Sequence, residues 1–381
     1  MGMIYDAPSS TRYGVNTTLR IRKHVPPEPF TGAYGPSPRP RVDWSHWKGQ
    51  NLWTIDRVEF ALANPPLETN PPGSLERTLS VTGVKTIHNR GGPHVVTCFL
   101  DGDTSTEYIA KIFDGVDYPP GDPGPSVEGY NDCMSFAERD YSIEAWAYRT
   151  MQPAIGGTFV PAYHGSWTFA VDGRWVRMIL IELIQGECML DMITRAEDEF
   201  GLTVDYARLP PEDFRILVLK NIREANLFIW WYAAVRHEDL AARNVMVKPD
   251  GSVSIIDFNQ AYIYDFTPNY DMHPRTREVN PRPLPPSLIE RLWPFPRGYK
   301  ADYPWIHWIP QRWIEDPSLA AEWLVETYRD DPRFMPPSAF WLNQDHHDEA
   351  GEKALRLLES LGRDPGLSGA PEPQPSQGLA K

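Results

Sequence analysis

The sequence predicts an α+β fold with a five-stranded antiparallel sheet and one helix in its N-terminal half, followed by a mainly helical C-terminal half. Two observations lead to this prediction. Between residues 78 and 185, short apolar runs alternate with turn signals such as Asp101-Gly102 and Asp172-Gly173, a pattern typical of antiparallel hairpins. After Gly186 such runs become rare, and longer segments carry apolar residues at helical spacing.

The N-terminal elements are expected in the order strand, strand, strand, helix, strand, strand. The helix should end near Met151, because Phe136, Ile143, Ala147 and Met151 recur on one of its sides. The predicted strands occupy residues 79–87, 95–100, 107–113, 160–169 and 174–184, and a looser strand-like alternation occupies 52–62.

The C-terminal half begins with a long helix predicted from Pro210 to Arg236, because proline suits a first helical turn and two carboxylates follow it. Two short β-like segments are expected at 245–247 and 252–256. Further helices are expected near 318–329 and 347–361.

Composition divides the chain into five segments. The 39 prolines come in blocks, and one block predicts that residues 1–43 form a disordered tail. Residues 44–77 should dock on the folded part through their tryptophans. The folded regions are predicted at 78–185 and 186–362, with a second disordered tail at 363–381.

Composition also excludes several functional classes. The chain has 37 basic and 51 acidic side chains, a net charge of −14, which argues against a nucleic-acid partner. The most hydrophobic stretch, 216–235, contains charged residues, so no membrane span is expected. The three cysteines are an odd number without metal-ligand spacing, which favours a reducing compartment and a cytoplasmic location.

A group of polar residues at fixed spacing points to chemistry. Asp239 lies five residues before Asn244, and Asp257 follows thirteen residues later, after an apolar strand. A carboxylate can accept a proton from an attacking hydroxyl, whereas an amide and a second carboxylate are hard oxygen ligands suited to Mg²⁺. The alternative is structural: His237, Asp239 and Asn244 would cap and brace a helix end.

These positions resemble the protein-kinase superfamily. His237, Asp239 and Asn244 match its catalytic loop H-x-D-x-x-x-x-N, and Asp257-Phe258 matches its D-F-G-like metal motif. The resemblance implies a bilobal protein-kinase-like fold, ATP and Mg²⁺ as cofactors, and transfer of the γ-phosphate to a hydroxyl. It makes His237 and Asp239 catalytic residues and assigns Asn244 and Asp257 to the metal.

The resemblance also implies a lysine and a glutamate upstream. Lys111 follows Ala110, the small residue that the family places beneath adenine, and would hold the α- and β-phosphates. The alternative for a lone lysine in a strand is a solvated edge charge. Glu144, on the following helix, would orient Lys111; Glu138 is the alternative, because one sequence does not fix the rotation of the helix.

Further nucleotide contacts follow from the same resemblance. The strand predicted at 174–184 would carry a gatekeeper residue, Ile181, and the backbone at Glu182 and Ile184 would face adenine.

The sequence departs from the family pattern at several places. The loop between the first two strands offers only Gly91 and Gly92 to the phosphates instead of G-x-G-x-x-G, and Pro93 removes one N–H donor. Glu238 stands where regulated kinases have an arginine, so regulation by a phosphorylated activation loop is not expected. Asn259 replaces the glycine of the metal motif.

The acceptor is an unidentified hydroxyl on a protein or a small molecule. A Pro- and Trp-rich run at 267–310 replaces the peptide platform of protein kinases, which favours small-molecule phosphotransferases similar to aminoglycoside and choline kinases. The overall pattern also looks like divergent kinase-like proteins of filamentous fungi. The alternative is a pseudokinase-like binding or scaffold protein with weak or no turnover.

Overall fold

The computed structural model describes residues 12–40, 42, 55–68, 75–86, 92–118, 132–193, 204–268, 282–286 and 307–335. The chain divides into two compact units. The first comprises Met1–Asp191 and Phe228–Glu278, and the second Met192–Leu227 and Val279–Lys381. The first unit therefore crosses the boundary that the sequence predicted at residue 185.

The first unit contains a closed antiparallel barrel. Its strands are β1 (Thr18–Lys23), β2 (Glu76–Thr86), β3 (His94–Leu100), β4 (Asp103–Phe113), β5 (Tyr163–Val171) and β6 (Arg174–Glu182). They are joined in the order β1-β2-β3-β4-β6-β5, and β5 pairs with β1. Alternate side chains of these strands fill the interior with a buried apolar core that includes Leu79, Cys98, Ile112, Phe169 and Met178.

This barrel shows that the predicted bilobal protein-kinase-like fold, with a five-stranded N-terminal sheet, is wrong. The sixth strand, β1, lies in the segment predicted to be a disordered tail. In β1, Leu19 and Ile21 alternate with arginines and point into the core. This alternating pattern is short and directly precedes a block of prolines, and the prolines led to the prediction of a tail. A five-stranded sheet would leave two edges unpaired; β1 joins both, with Leu19 opposite Leu79 and Arg22 opposite Thr168.

Two helices accompany the barrel. The first, α1 (Arg57–Ala63), occupies residues predicted to be a strand, so that prediction is wrong. The Asp56 side chain accepts hydrogen bonds from Val58 N and Glu59 N, an N-cap that strand-like alternation does not reveal. The second, α2 (Cys133–Ile155), begins at Asp132, which caps it in the same way, and confirms the predicted helix.

The prediction of a mainly helical C-terminal half is also wrong for the described residues. From Glu187 onward they form α3 (Glu212–Ala233), α4 (Gln311–Glu315) and α5 (Pro317–Tyr328), together with five strands of two or three residues. The strands are β7 (Glu187–Cys188), β8 (Val235–Arg236), β9 (Val245–Val247), β10 (Val253–Ile255) and β11 (Tyr262–Ile263). Short apolar runs separated by turns such as Pro249-Asp250-Gly251 are too short for helices and pair as β10-β9-β7 and β11-β8 instead.

Several predicted segments can be compared directly. The β-like segments at 245–247 and 252–256 are confirmed as β9 and β10, and the helix at 318–329 is confirmed as α5. The predicted helix at 347–361, the tail at 363–381 and most of the 267–310 run lie outside the described residues. None of the helices in the described part of the chain has both the length and the apolar composition needed to cross a membrane.

Candidate functional site

Lys111 lies between two carboxylates. Its neighbours on β4, Ala110 and Ile112, point into the barrel core, so Lys111 points to the opposite face of the strand. Lys111 Nζ lies 2.6 Å from Glu144 Oε2 and 2.6 Å from Asp257 Oδ1. Because only 8% of the lysine side chain is exposed, its charge requires these partners.

Burial and charge oppose each other in this cluster. Burial raises the pKa of Glu144 to about 7, although Lys111 favours the ionised carboxylate. Burial also disfavours ionised Asp257, but the Lys111 ammonium outweighs it and the pKa of Asp257 lies below its usual value. Burial disfavours charged Lys111, yet the two carboxylates raise its pKa. Near neutral pH, Lys111 and Asp257 are therefore charged and Glu144 is close to its midpoint.

The rotation of α2 decides which glutamate pairs with Lys111. Six residues separate Glu138 from Glu144, which places them roughly 120° apart around a helix. Glu138 therefore lies on another side of the helix, where its Oε2 accepts a hydrogen bond from Arg39 Nη1 at 2.8 Å and its Oε1 accepts one from Leu67 N. Glu144 is therefore the partner, and the alternative glutamate has a structural role.

Asp257 is positioned through the residue before it. Ile256 N donates to Asn244 O at 2.9 Å, and Ile256 O accepts from His237 Nε2 at 2.8 Å. Asp257 itself has φ +66°, in the left-handed region that non-glycine residues rarely occupy. This turn directs the carboxylate toward Lys111 and away from the continuation of β10.

His237 acts as a brace, so the structure does not support its predicted catalytic role. Its side chain is fully buried and its ring lies 4.6 Å from that of Phe258. Nε2 donates to Ile256 O, whereas Nδ1 accepts from Asp239 N at 3.3 Å. Burial lowers the pKa of His237, so the imidazole is neutral and its two nitrogens are both engaged.

The Asp239 carboxylate is held by Arg243, four residues further along the chain. Arg243 Nη2 donates to Asp239 Oδ1 at 2.7 Å and to Oδ2 at 2.6 Å. Asn244 Nδ2 donates to the Asp239 carbonyl at 2.8 Å, which fixes the loop. Arg243 and Asn244 therefore fix the orientation of Asp239.

One cavity of about 960 Å³ in the first unit brings most of the predicted residues together. A volume of this size suits a ligand as large as a nucleotide. The predicted site residues that line it are Gly92, Lys111, Glu144, Ile181, Glu182, Ile184, Asn244 and Asp257. Of the described predicted residues, Asp239, His237 and Ala110 are not among those lining it, although Arg243, which binds Asp239, is.

Ala110, the residue predicted to lie beneath adenine, does not line the cavity. Ala110 is completely buried in the barrel core, and its neighbour Ile109, on the same face of β4 as Lys111, lines the cavity. Adjacent residues of a strand face opposite sides, so Ala110 and Lys111 do not share a site. Gly92 lines the cavity with φ +135°, whereas Gly91 lies outside the described residues.

The sequence analysis missed several cavity residues on and beside α2. Asp140 and Tyr148 lie one turn on either side of Glu144 and face the same cavity, as do Tyr118 and Arg139. The spacing of four residues around Glu144 was the signal that identifies Asp140 and Tyr148. Tyr118 and Arg139 gave no comparable signal.

The oxygen atoms of Asn244 and Asp257 fit a magnesium ion. Magnesium is commonly bound by one or two carboxylates together with substrate phosphates. Asp257 presents a carboxylate to the cavity, and Asn244 keeps Oδ1 available because Nδ2 binds Asp239. Among the described residues, no group of three or more His, Cys, Asp or Glu side chains could hold a metal ion by itself.

The N-terminal residues 24–40, which we call the strap, contact both elements that carry the site. Trp146 Nε1, two residues after Glu144 on α2, donates to Pro27 O at 2.8 Å. The Tyr34 hydroxyl donates to Ala261 O at 2.5 Å, in the segment that follows Asp257. The strap is therefore an ordered part of the first unit, which corrects the predicted disordered tail over these residues.

No protein-family model matches this chain, and no curated protein sequence matches it.

Proposed function

We propose that this protein is an ATP- and Mg²⁺-dependent phosphotransferase that transfers the γ-phosphoryl group of ATP to a hydroxyl. The observation that carries the proposal is the meeting of Lys111, Glu144 and Asp257 at 2.6 Å contacts on the wall of one nucleotide-sized cavity. The likeness to protein-kinase motifs at these positions supports the proposal. The fold does not, because a closed barrel is not what that likeness implied.

Each residue has a role that follows from its contacts. Glu144, buried and paired with Lys111, fixes the ammonium so that it can bind phosphate oxygens. Asp257 and Asn244 present oxygen atoms that would hold Mg²⁺, which when bound supplies positive charge to neutralise the phosphates. Lys111 Nζ donates to Asp257 Oδ1 at 2.6 Å, so the ammonium and the carboxylate are held side by side.

The proposed reaction is a substitution at phosphorus. The acceptor oxygen forms a bond to the γ-phosphorus as the bond from that phosphorus to the β–γ bridging oxygen breaks, and ADP leaves. Asp239 accepts the proton of the acceptor hydroxyl. Arg243 donates to both of its carboxylate oxygens and so holds the carboxylate in place.

The test is a measurement of ADP formation from ATP with Mg²⁺ and a panel of hydroxyl acceptors, including small molecules and a protein. Wild type should form ADP, and Lys111→Met and Asp257→Asn should reduce the rate to background. Arg149→Met, an exposed arginine of α2 that does not line the cavity, is the control and should retain activity. Equal rates in wild type and Lys111→Met would contradict the proposal.

A nucleotide-binding protein without turnover is the second candidate. It is favoured by two observations: Asp239 does not line the cavity and is occupied by Arg243, and the Gly92-Pro93 loop lacks one N–H donor. Under this candidate, MgATP at 100 times its dissociation constant stabilises the protein by about 2.7 kcal/mol, yet no ADP forms with any acceptor.

The proposal includes a reducing compartment, the cytoplasm. Cys98, Cys133 and Cys188 are all free thiols, and Cys188 lines the cavity. Disulfides are rare in the cytosol, where thiols are kept reduced. Retention of all three thiols after purification without reductant, measured by mass spectrometry, tests this part of the proposal.

A further inference from the structure

The cavity contains a second polar group, at the start of α2, that the roles above do not use. Arg139 and Asp140 lie on the first turns of α2, and Tyr118 ends the short 3-10 turn after β4. All three line the same cavity as Lys111.

Arg139 is held in a fixed orientation. Its Nε and Nη2 donate to Asp140 Oδ1 at 3.0 and 2.7 Å, and its guanidinium lies 5.0 Å from the centre of the Phe136 ring. No described residue accepts a hydrogen bond from Arg139 Nη1. A guanidinium carries five N–H donors, so donors remain for a ligand while the pair with Asp140 prevents the side chain from swinging away.

The Tyr118 hydroxyl is an independent indication of a ligand. Tyr118 is 4% exposed and lines the cavity, and its hydroxyl has no hydrogen-bond partner among the described residues. A buried hydroxyl without a partner is unfavourable, so such groups are usually satisfied by a ligand or by water. The backbone of Tyr118 is anchored, because its carbonyl accepts from Arg57 Nη1 at 3.3 Å.

The chemistry of these groups favours an anion with several oxygen atoms. Arginine binds phosphate through parallel N–H donors, and a tyrosine hydroxyl adds another donor. Lys85, on the same cavity wall, adds a further positive charge. The loop that would otherwise hold phosphates contributes little, since Pro93 has no N–H.

We propose that Arg139 and Tyr118 form a phosphate-binding subsite that takes the terminal phosphates of the nucleotide, in place of a glycine-rich loop. Asp140 is a positioning residue that orients Arg139. This inference rests on the proposed function, because it names the part of the nucleotide that the α2 end of the cavity recognises.

The experiment measures calorimetric affinities for ATP, inorganic tripolyphosphate and adenosine, each with Mg²⁺, in wild type and in Arg139→Met, Arg139→Lys and Tyr118→Phe. We expect Arg139→Met to weaken ATP and tripolyphosphate about 10- to 100-fold, the effect of losing a charge-assisted hydrogen bond, and to leave adenosine unchanged. Arg139→Lys should recover only part of the loss, since lysine lacks the fork of donors. Tyr118→Phe should weaken the same two ligands by a smaller factor.

The matched control is Arg149→Met. Arg149 lies on the same helix and also stacks on an aromatic ring, that of Trp146 at 4.5 Å, but it does not line the cavity. Its loss should leave all three affinities unchanged. Because Arg139→Met leaves Asp140 unpaired, the double variant Arg139→Met/Asp140→Asn is measured as well and should show the same loss for ATP.

The outcomes separate this inference from the proposed function. If wild type binds ATP and forms ADP while Arg139→Met and the double variant keep full affinity for ATP and tripolyphosphate, the subsite is overturned and the phosphotransferase proposal stands. If Arg139→Met loses tripolyphosphate binding but wild type neither binds adenosine nor forms ADP, the subsite is supported and the phosphotransferase proposal fails. If wild type binds none of the three ligands, both are overturned.

Discussion

The Tyr34 hydroxyl is hydrogen-bonded to two backbone groups at the start of β11. Its hydroxyl accepts from Ile263 N at 2.9 Å and donates to Ala261 O at 2.5 Å. In the segment that follows Asp257, this tyrosine of the strap therefore binds backbone groups in the way that a neighbouring strand would. The same strap binds Trp146 on α2, so the elements that carry Asp257 and Glu144 share one support.

We predict that Tyr34→Phe lowers the free energy of unfolding by about 1–3 kcal/mol, because two buried backbone groups lose their partner. Hydrogen exchange should accelerate at the amides of residues 256–266. Affinity for MgATP should also fall, since Asp257 is less well held. The control is Tyr13→Phe, which removes a hydroxyl bonded to Asp114 at 2.6 Å in another part of the first unit. Equal effects of both variants on MgATP affinity would show that Tyr34 stabilises the fold without positioning Asp257.

The titration of Glu144 should be visible in the pH dependence of stability. Burial raises the pKa of its folded state from 4.5 to about 7, so the folded protein holds this proton more tightly than the unfolded chain. The stability that this group contributes is therefore complete below pH 4.5 and is lost as the pH rises to about 7. Glu144→Gln should remove this part of the slope. Urea unfolding at a series of pH values between 4.5 and 7.5 measures it, and a constant difference between variant and wild type would contradict the assignment.

Because β1 closes the barrel, alanine substitutions at two neighbouring residues of β1 should change the free energy of unfolding by very different amounts. Ile21 is fully buried in the core, so Ile21→Ala should lower the free energy of unfolding by about 2–5 kcal/mol. Arg20, on the outer face and paired only with exposed Glu76, should tolerate alanine within about 0.5 kcal/mol. Chemical denaturation of the two variants measures both values. If neither variant changed the free energy of unfolding, β1 would not close the barrel, and the disordered tail that the composition predicts would be supported instead.

What the sequence could reveal depends on how local the signal is. Asp257 and Asn244 were found because spacing and apolar context mark them along the chain, whereas Lys111 followed from the resemblance to the kinase superfamily. The choice of Glu144 over Glu138 required the rotation of α2, which only packing fixes. The role of β1 could not be predicted, because its partners lie more than 50 residues away and its own six residues give little periodicity. The helix α1 was missed because the loose alternation of its residues favours a strand, whereas the N-cap at Asp56 stabilises a helix.

The opposite orientations of Ile109 and Ala110 give a final test within one strand. Ile109 faces the cavity, whereas Ala110 faces the packed core. Because the Ile109 side chain is partly exposed, Ile109→Ala should change the free energy of unfolding little, but it should change the affinity for ATP. Ala110→Val should instead add methyl groups to a filled interior and cost about 1–3 kcal/mol of stability. Thermal or urea unfolding and calorimetric ATP titration distinguish the two variants. The opposite result would be a change in ATP affinity for Ala110→Val at unchanged stability, with no change in ATP affinity for Ile109→Ala. It would mean that Ala110, and not Ile109 and Lys111, faces the cavity.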